Sequence, residues 1–69
     1  MEFELRKEDS FIKLGQLLKA CNIVSSGSEA KTVIINGLVK VNDEICNMRG
    51  KKIFRGDRVF FDNKEVKII

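Results

Sequence analysis

The chain has 69 residues, of which 33% are charged and 43% apolar, with a net charge of +3 and no histidine. That balance, with five Phe beside many Ile, Val and Leu, fits one small globular domain around one core and argues against a disordered tail. No apolar run approaches the ~20 residues that cross a bilayer, and the start Met1-Glu2-Phe3-Glu4 is acidic where a signal peptide is basic, so a cytoplasmic protein with no membrane partner is expected.

Phe3 and Leu5 alternate with Glu2, Glu4 and Arg6, a period of two that predicts a short edge strand with one buried face. From Phe11 to Cys21 the period changes. Leu14, Leu17, Leu18 and Cys21 form one stripe of an amphipathic helix, which Asp9 or Ser10 can cap, while Lys13, Gln16 and Lys19 make the opposite side weakly basic.

A second helix opens at Ser26, which with Glu29 has the spacing of a capping box. Its stripe is Ala30, Val33 and Ile34, and Gly37 ends it in the left-handed conformation. Lys31 and Ser28 point away from the core, Ser28 near the positive end of the helix dipole.

After Gly37 the β-branched positions Val39 and Val41, the turn Asn42-Asp43 and the return Glu44-Ile45 predict a hairpin. Asn47 to Lys52 is polar and basic and should be an exposed loop. Ile53-Phe54 restarts extended structure, Gly56-Asp57 turns it, Val59 and Phe61 share a face, and Asp62-Asn63 leads into a last strand with Val66 and Ile68. The predicted fold is therefore α+β, two packed helices followed by a small bent antiparallel sheet, with a short N-terminal strand added. There is no proline, no repeat and no linker, so residues 1–69 should form a single domain.

Charge is distributed unevenly. Residues 1–10 sum to −2, residues 11–58 to +5 and the last eleven to zero, so basic charge gathers in the middle of the chain, as a polyanion-binding protein requires. A structural zinc site is not expected, since Cys21 and Cys46 lie 25 positions apart with no histidine to join them. Each cysteine reads as a small reduced core residue in preference to a disulfide or redox partner.

Four landmarks in order resemble the S-four-like RNA-binding domain, also called the alpha-L motif. They are Lys13, Leu14, Gly15 and Leu18 in the first helix; Ser26, Gly27, Ala30, Val33 and Ile34 in the second; Gly37, Val39, Val41, Asn42 and Asp43 in the hairpin; and Gly56, Asp57 and Val59 before a late strand. Gly15, Gly27 and Asp43 stand where the family has an acid, a phosphate-gripping arginine and a glycine. The match spans about residues 11 to 61 and leaves no room for a catalytic domain. The added strand, the Ser-Gly-x-x-Ala-Lys opening and the Arg-Gly-Lys-Lys stretch resemble the small stand-alone bacterial members of the YbcJ or YaaA type.

The resemblance implies an RNA-binding surface on the exposed sides of the two helices and the nearby basic hairpin and loop. Its centre would be Lys31, Lys40, Arg49, Lys51 and Lys52, with Ser26 and Ser28 as donors to phosphate and Lys13 and Arg55 at the rim. Arg49 can also stack or fork onto phosphate, which lysine cannot. The implied partner is structured RNA, ribosomal or transfer, and the implied role lies in ribosome assembly or translation, with no cofactor, metal or small-molecule substrate. Structured RNA is favoured over a single strand because there is no Trp or Tyr and the Phe positions look core-like, Phe60 packing against the N-terminal strand in preference to stacking on a base. Without histidine there is no ready proton shuttle, and Asp57 reads as a turn residue, so an enzyme is not expected. The alternative from another class is a small basic adaptor that docks on protein within a ribosomal or replication-linked assembly.

Overall fold

The computed structural model describes every residue from Met1 to Ile69. In chain order the elements are β1 (Glu2–Phe3), β2 (Phe11–Lys13), α1 (Leu14–Ala20), α2 (Gly27–Ile35), β3 (Lys40–Val41), β4 (Glu44–Ile45), β5 (Lys52–Phe54), β6 (Arg58–Phe61) and β7 (Lys64–Ile68). The α+β class holds, but the strands divide into two sheets. One has the order β1-β7-β6-β3-β4 with β1 parallel to β7; the other is an antiparallel ribbon of β2 and β5.

Two corrections to the expected elements share one cause. Phe11–Lys13 is strand and not helix, because it pairs residue for residue with Lys52–Phe54. The helix therefore starts at Leu14, with Lys13 at its N-cap and no side-chain cap from Asp9 or Ser10. The Leu14 and Gly15 amides instead donate to the carbonyls of Lys51 and Arg49 at 2.9 and 3.0 Å, so a distant loop satisfies donors that a helix start leaves open. Asp9 is engaged elsewhere, accepting from Arg6 at 3.0 Å.

The capping box of α2 forms with a shift of one residue. Ser26 Oγ accepts from the Glu29 amide at 3.1 Å, while the Glu29 carboxylate reaches back to the amide and hydroxyl of Ser25, not to Ser26. Gly37 closes the helix at φ +73°, and the two hairpin turns Asn42-Asp43 and Asp62-Asn63 hold positive φ at both positions, the geometry that matches the twist of paired strands. Asp57 accepts from the Phe54 amide and from Asn42 Nδ2, which makes it a turn residue with both carboxylate oxygens in use.

The core gathers Leu14, Leu17 and Leu18 of α1 and Ala30 and Ile34 of α2 over Val41, Ile53, Val59, Val66 and Ile68 of the strands, and no polar side chain is buried. None of the five Phe is fully buried: Phe3 and Phe61 pack against the edge of the core, in keeping with the core-like reading, whereas Phe54 and Phe60 are exposed. In the ribbon, Ile12 and Ile53 take the inward positions, so period two turns Phe11 and Phe54 outward. Phe60 does not meet the N-terminal strand, since β1 pairs with β7 and β6 lies one strand further in. It stands on the outer face beside its register partners Lys40 and Glu65. Both cysteines are free and half-buried against the core, and burial pushes the Cys21 thiol up. No helix is long and apolar enough to cross a membrane.

Candidate nucleic-acid interface

Helices α1 and α2 pack against each other, and the loop that bonds to the start of α1 closes one end of the seam between them. The result is an open groove of about 400 Å³ lined by Lys13, Gly15, Gln16, Lys19, Gly27, Ala30, Lys31, Arg49 and Gly50. Four of these nine residues are cationic, none is acidic, and four more are Gly or Ala. Small residues keep the floor low while the long basic side chains rise around it. A polyanion can thus approach the backbone closely with lysine and arginine on several sides, the arrangement that releases counterions on binding.

The four cations reach the groove by different routes. Lys13 stands at the junction of β2 and α1, and Lys19 lies six residues further along, in the last turn of α1. Lys31 comes from the exposed side of α2. Arg49 comes from the loop, held there by the bond from the Gly15 amide to its own carbonyl.

The remaining expected residues are distributed around this groove. Lys52 is the cross-strand partner of Lys13 and extends the positive surface along the ribbon. Lys51 faces a second depression, with Cys46 and Met48, behind the β3–β4 hairpin. Lys40 lies on the outer face of the large sheet, apart from the helices. Ser28 shares a shallow hollow with Lys31, Thr32, Ile35 and Asn36, and the Ser26 hydroxyl already serves the helix cap. Arg55 departs furthest from its expected role at the rim. Its guanidinium donates to the carbonyls of Leu5, Arg6 and Asp9 and so binds the N-terminal segment to the body of the fold. Arg58 is likewise occupied, paired with Asp43 at 3.1 Å and with Glu65 at 3.7 Å.

Lys19 lies outside the expected set although its signal is present in the sequence, since Lys13, Gln16 and Lys19 recur every third residue on the polar side of α1. What that spacing does not show is which element faces them. The carboxyl of Glu29, at the opening of α2, is held below its usual pKa because the amide and then the hydroxyl of Ser25 donate to it. That negative charge sits on the Ser25 side of the helix start and does not line the groove.

The chain is similar to known proteins in sequence and in fold. The sequence model described as "S4 domain" matches residues 3–69. The chain is 42% identical over 52 residues to the probable ribosome maturation protein RlbA of Bacillus subtilis (strain 168), covering 75% of this chain and 73% of that protein. It superposes on the solution structure of YbcJ from E. coli, which carries an alpha-L motif described as involved in RNA binding, with a TM-score of 0.72 and 32% identity over 99% of this chain and 85% of the other.

Proposed function

Because the chain belongs to the S4 domain family, we propose that it is an RNA-binding module that seats structured RNA in the groove between α1 and α2, mainly through phosphate contacts. The observation that carries this reading is the groove itself, where Lys13, Lys19, Lys31 and Arg49 surround a floor of Gly and Ala with no acid among the lining residues. Lysine supplies point charge to phosphate, and Arg49 adds a planar fork that can take two phosphate oxygens or stack on a base.

The names of the relatives support a narrower reading of the partner. One is described as a probable ribosome maturation protein and the other by a motif involved in RNA binding, which supports ribosomal RNA as the ligand and ribosome assembly as the setting. The protein acts by binding and not by catalysis: no histidine is present to move protons, and the candidate acid Asp57 is spent on turn hydrogen bonds.

Binding to a ribosomal RNA fragment measured against salt tests the reading. The expected result is a log affinity that falls linearly with log salt, by about 0.7 to 0.9 for each phosphate contact. A nearly flat salt dependence would favour the adaptor reading, for which the exposed Phe60 and Ile45 flanking Lys40 on the outer sheet face are the supporting observation.

A further inference from the structure

The outward face of the β2–β5 ribbon adds to the cations two aromatic rings that phosphate binding does not use. Its register places Phe11 opposite Phe54 and Lys13 opposite Lys52, with Ile12 and Ile53 on the other side. Four neighbouring positions on one face are thus two rings and two ammonium groups, with no acid among them. The ring centroids lie 5.9 Å apart at 52°, and Lys52 Nζ stands 4.9 Å from the centre of the Phe11 ring. Lys52 thereby covers part of Phe11, while Phe54 remains 47% exposed.

Resting on the RNA-binding reading of the groove, we infer that this face is a stacking site for one unpaired base of the bound RNA, with Phe54 as the platform and Lys13 and Lys52 holding the flanking phosphates. Two features select this occupant. Lys13 belongs both to the ribbon face and to the groove, so a strand held in the groove runs directly onto the rings. Along β2 the step from Lys13 to Phe11 is about 7 Å, short enough for one nucleotide to touch both. An aromatic surface bordered by cations suits a nucleobase on its sugar-phosphate strand, whose faces are apolar and whose backbone is anionic. The RNA taken by this protein is then a helix interrupted by a bulge or loop, not a continuous duplex.

The test uses the full chain and two RNA hairpins, one with a single bulged 2-aminopurine in its stem and one with the same stem fully paired. Wild-type protein should bind the bulged hairpin more tightly and quench the fluorophore as it stacks. Phe54→Leu should weaken binding of the bulged hairpin by about fivefold or more and abolish the quench, the loss expected for one base–aromatic stack. Its affinity for the paired hairpin should stay within about twofold. Phe54→Trp, which keeps a ring in the cross-strand pair, should retain both preference and quench and so separates stacking from folding. Equal wild-type affinity for the two hairpins, or an unchanged preference and quench in Phe54→Leu, overturns the stacking site. Lys31→Ala with Arg49→Ala reports on the groove separately, since it should weaken both hairpins alike. If that variant binds both as wild type does while Phe54→Leu loses only the bulge, the groove reading falls and the stacking site stands. Binding of neither hairpin by the wild type overturns both.

Discussion

The Gly15 amide donates to the Arg49 carbonyl at 3.0 Å, and a side chain built at Gly15 would meet Arg49 at 3.6 Å. Together with the bond from the Leu14 amide to Lys51, this contact lays the basic loop across the first turn of α1. It is the reason that one arginine from the loop joins three lysines from the helical region in one groove.

Loss of groove cations should weaken RNA binding without harming the fold. Lys31 and Arg49 are exposed and make no hydrogen bond through their side chains within the chain, so replacing both by Ala removes charge and little packing. Affinity should fall at least tenfold, on the order of 1.4 kcal/mol, and the slope of log affinity against log salt should shrink by about 0.7 to 0.9 for each phosphate no longer neutralised. Lys40→Ala, on the outer sheet face, serves as the control and should change affinity less than about twofold. Filter binding across a salt series measures both quantities.

Gly27→Arg should strengthen binding. Gly27 opens α2 on the edge of the groove, with ordinary helical backbone and nothing within 4 Å of the place a Cβ would occupy, so the longer side chain has room. It would supply the cation that the family resemblance implies at this position and add a further phosphate contact. Affinity should rise severalfold, the salt slope should steepen by about 0.7 to 0.9, and the melting temperature should not drop, because Gly is the poorer helix former.

Glu29→Gln should remove a pH-dependent part of the stability. Hydrogen bonds from Ser25 lower the Glu29 pKa in the folded state, so folding favours the ionised form. A group lowered on folding stabilises above its unfolded value, about 4.3 for Glu, and that contribution is lost as pH falls through the lowered folded value. The wild type should therefore melt above Glu29→Gln at pH 7, and the gap should narrow progressively as pH falls below about 4.3. A gap that does not narrow at all on acidification would assign the effect to shape and not to charge.

Arg55→Ala should destabilise the protein and leave RNA binding intact. Three backbone carbonyls of the N-terminal segment would be left without their shared donor, one of them partly buried. A cost of about 1 kcal/mol is expected for these largely solvent-facing bonds, or roughly 4 to 8 °C in melting temperature for a domain of this size. Affinity measured well below the melting point should match wild type, since Arg55 faces the N-terminal segment and not the groove.

Much of this molecule is determined locally. The stripe Leu14, Leu17 and Leu18, the Ser26–Glu29 cap, the left-handed Gly37 and the paired turns Asn42-Asp43 and Asp62-Asn63 all depend on neighbours within about four residues, so spacing alone places α2, both hairpins and the strands from Lys40 onward. Lys31 and Arg49 likewise stand out as exposed cations from their positions in those elements. The basic middle of the chain also follows from composition, and it favours a polyanion as the partner.

Tertiary structure decided what depends on distant partners. Phe11–Lys13 carries a helical period yet forms strand, because Lys52–Phe54, some forty residues on, offers it a complete ladder. The same pairing turns Phe11 and Phe54 outward. Whether a cation joins the groove also depends on long-range packing: Lys19 shares it with Lys31 because α1 packs on α2, Arg49 enters because its carbonyl receives the Gly15 amide, and Arg55 leaves because three N-terminal carbonyls claim it. Sequence spacing specifies which side of an element is polar; only the packed chain specifies what that side meets.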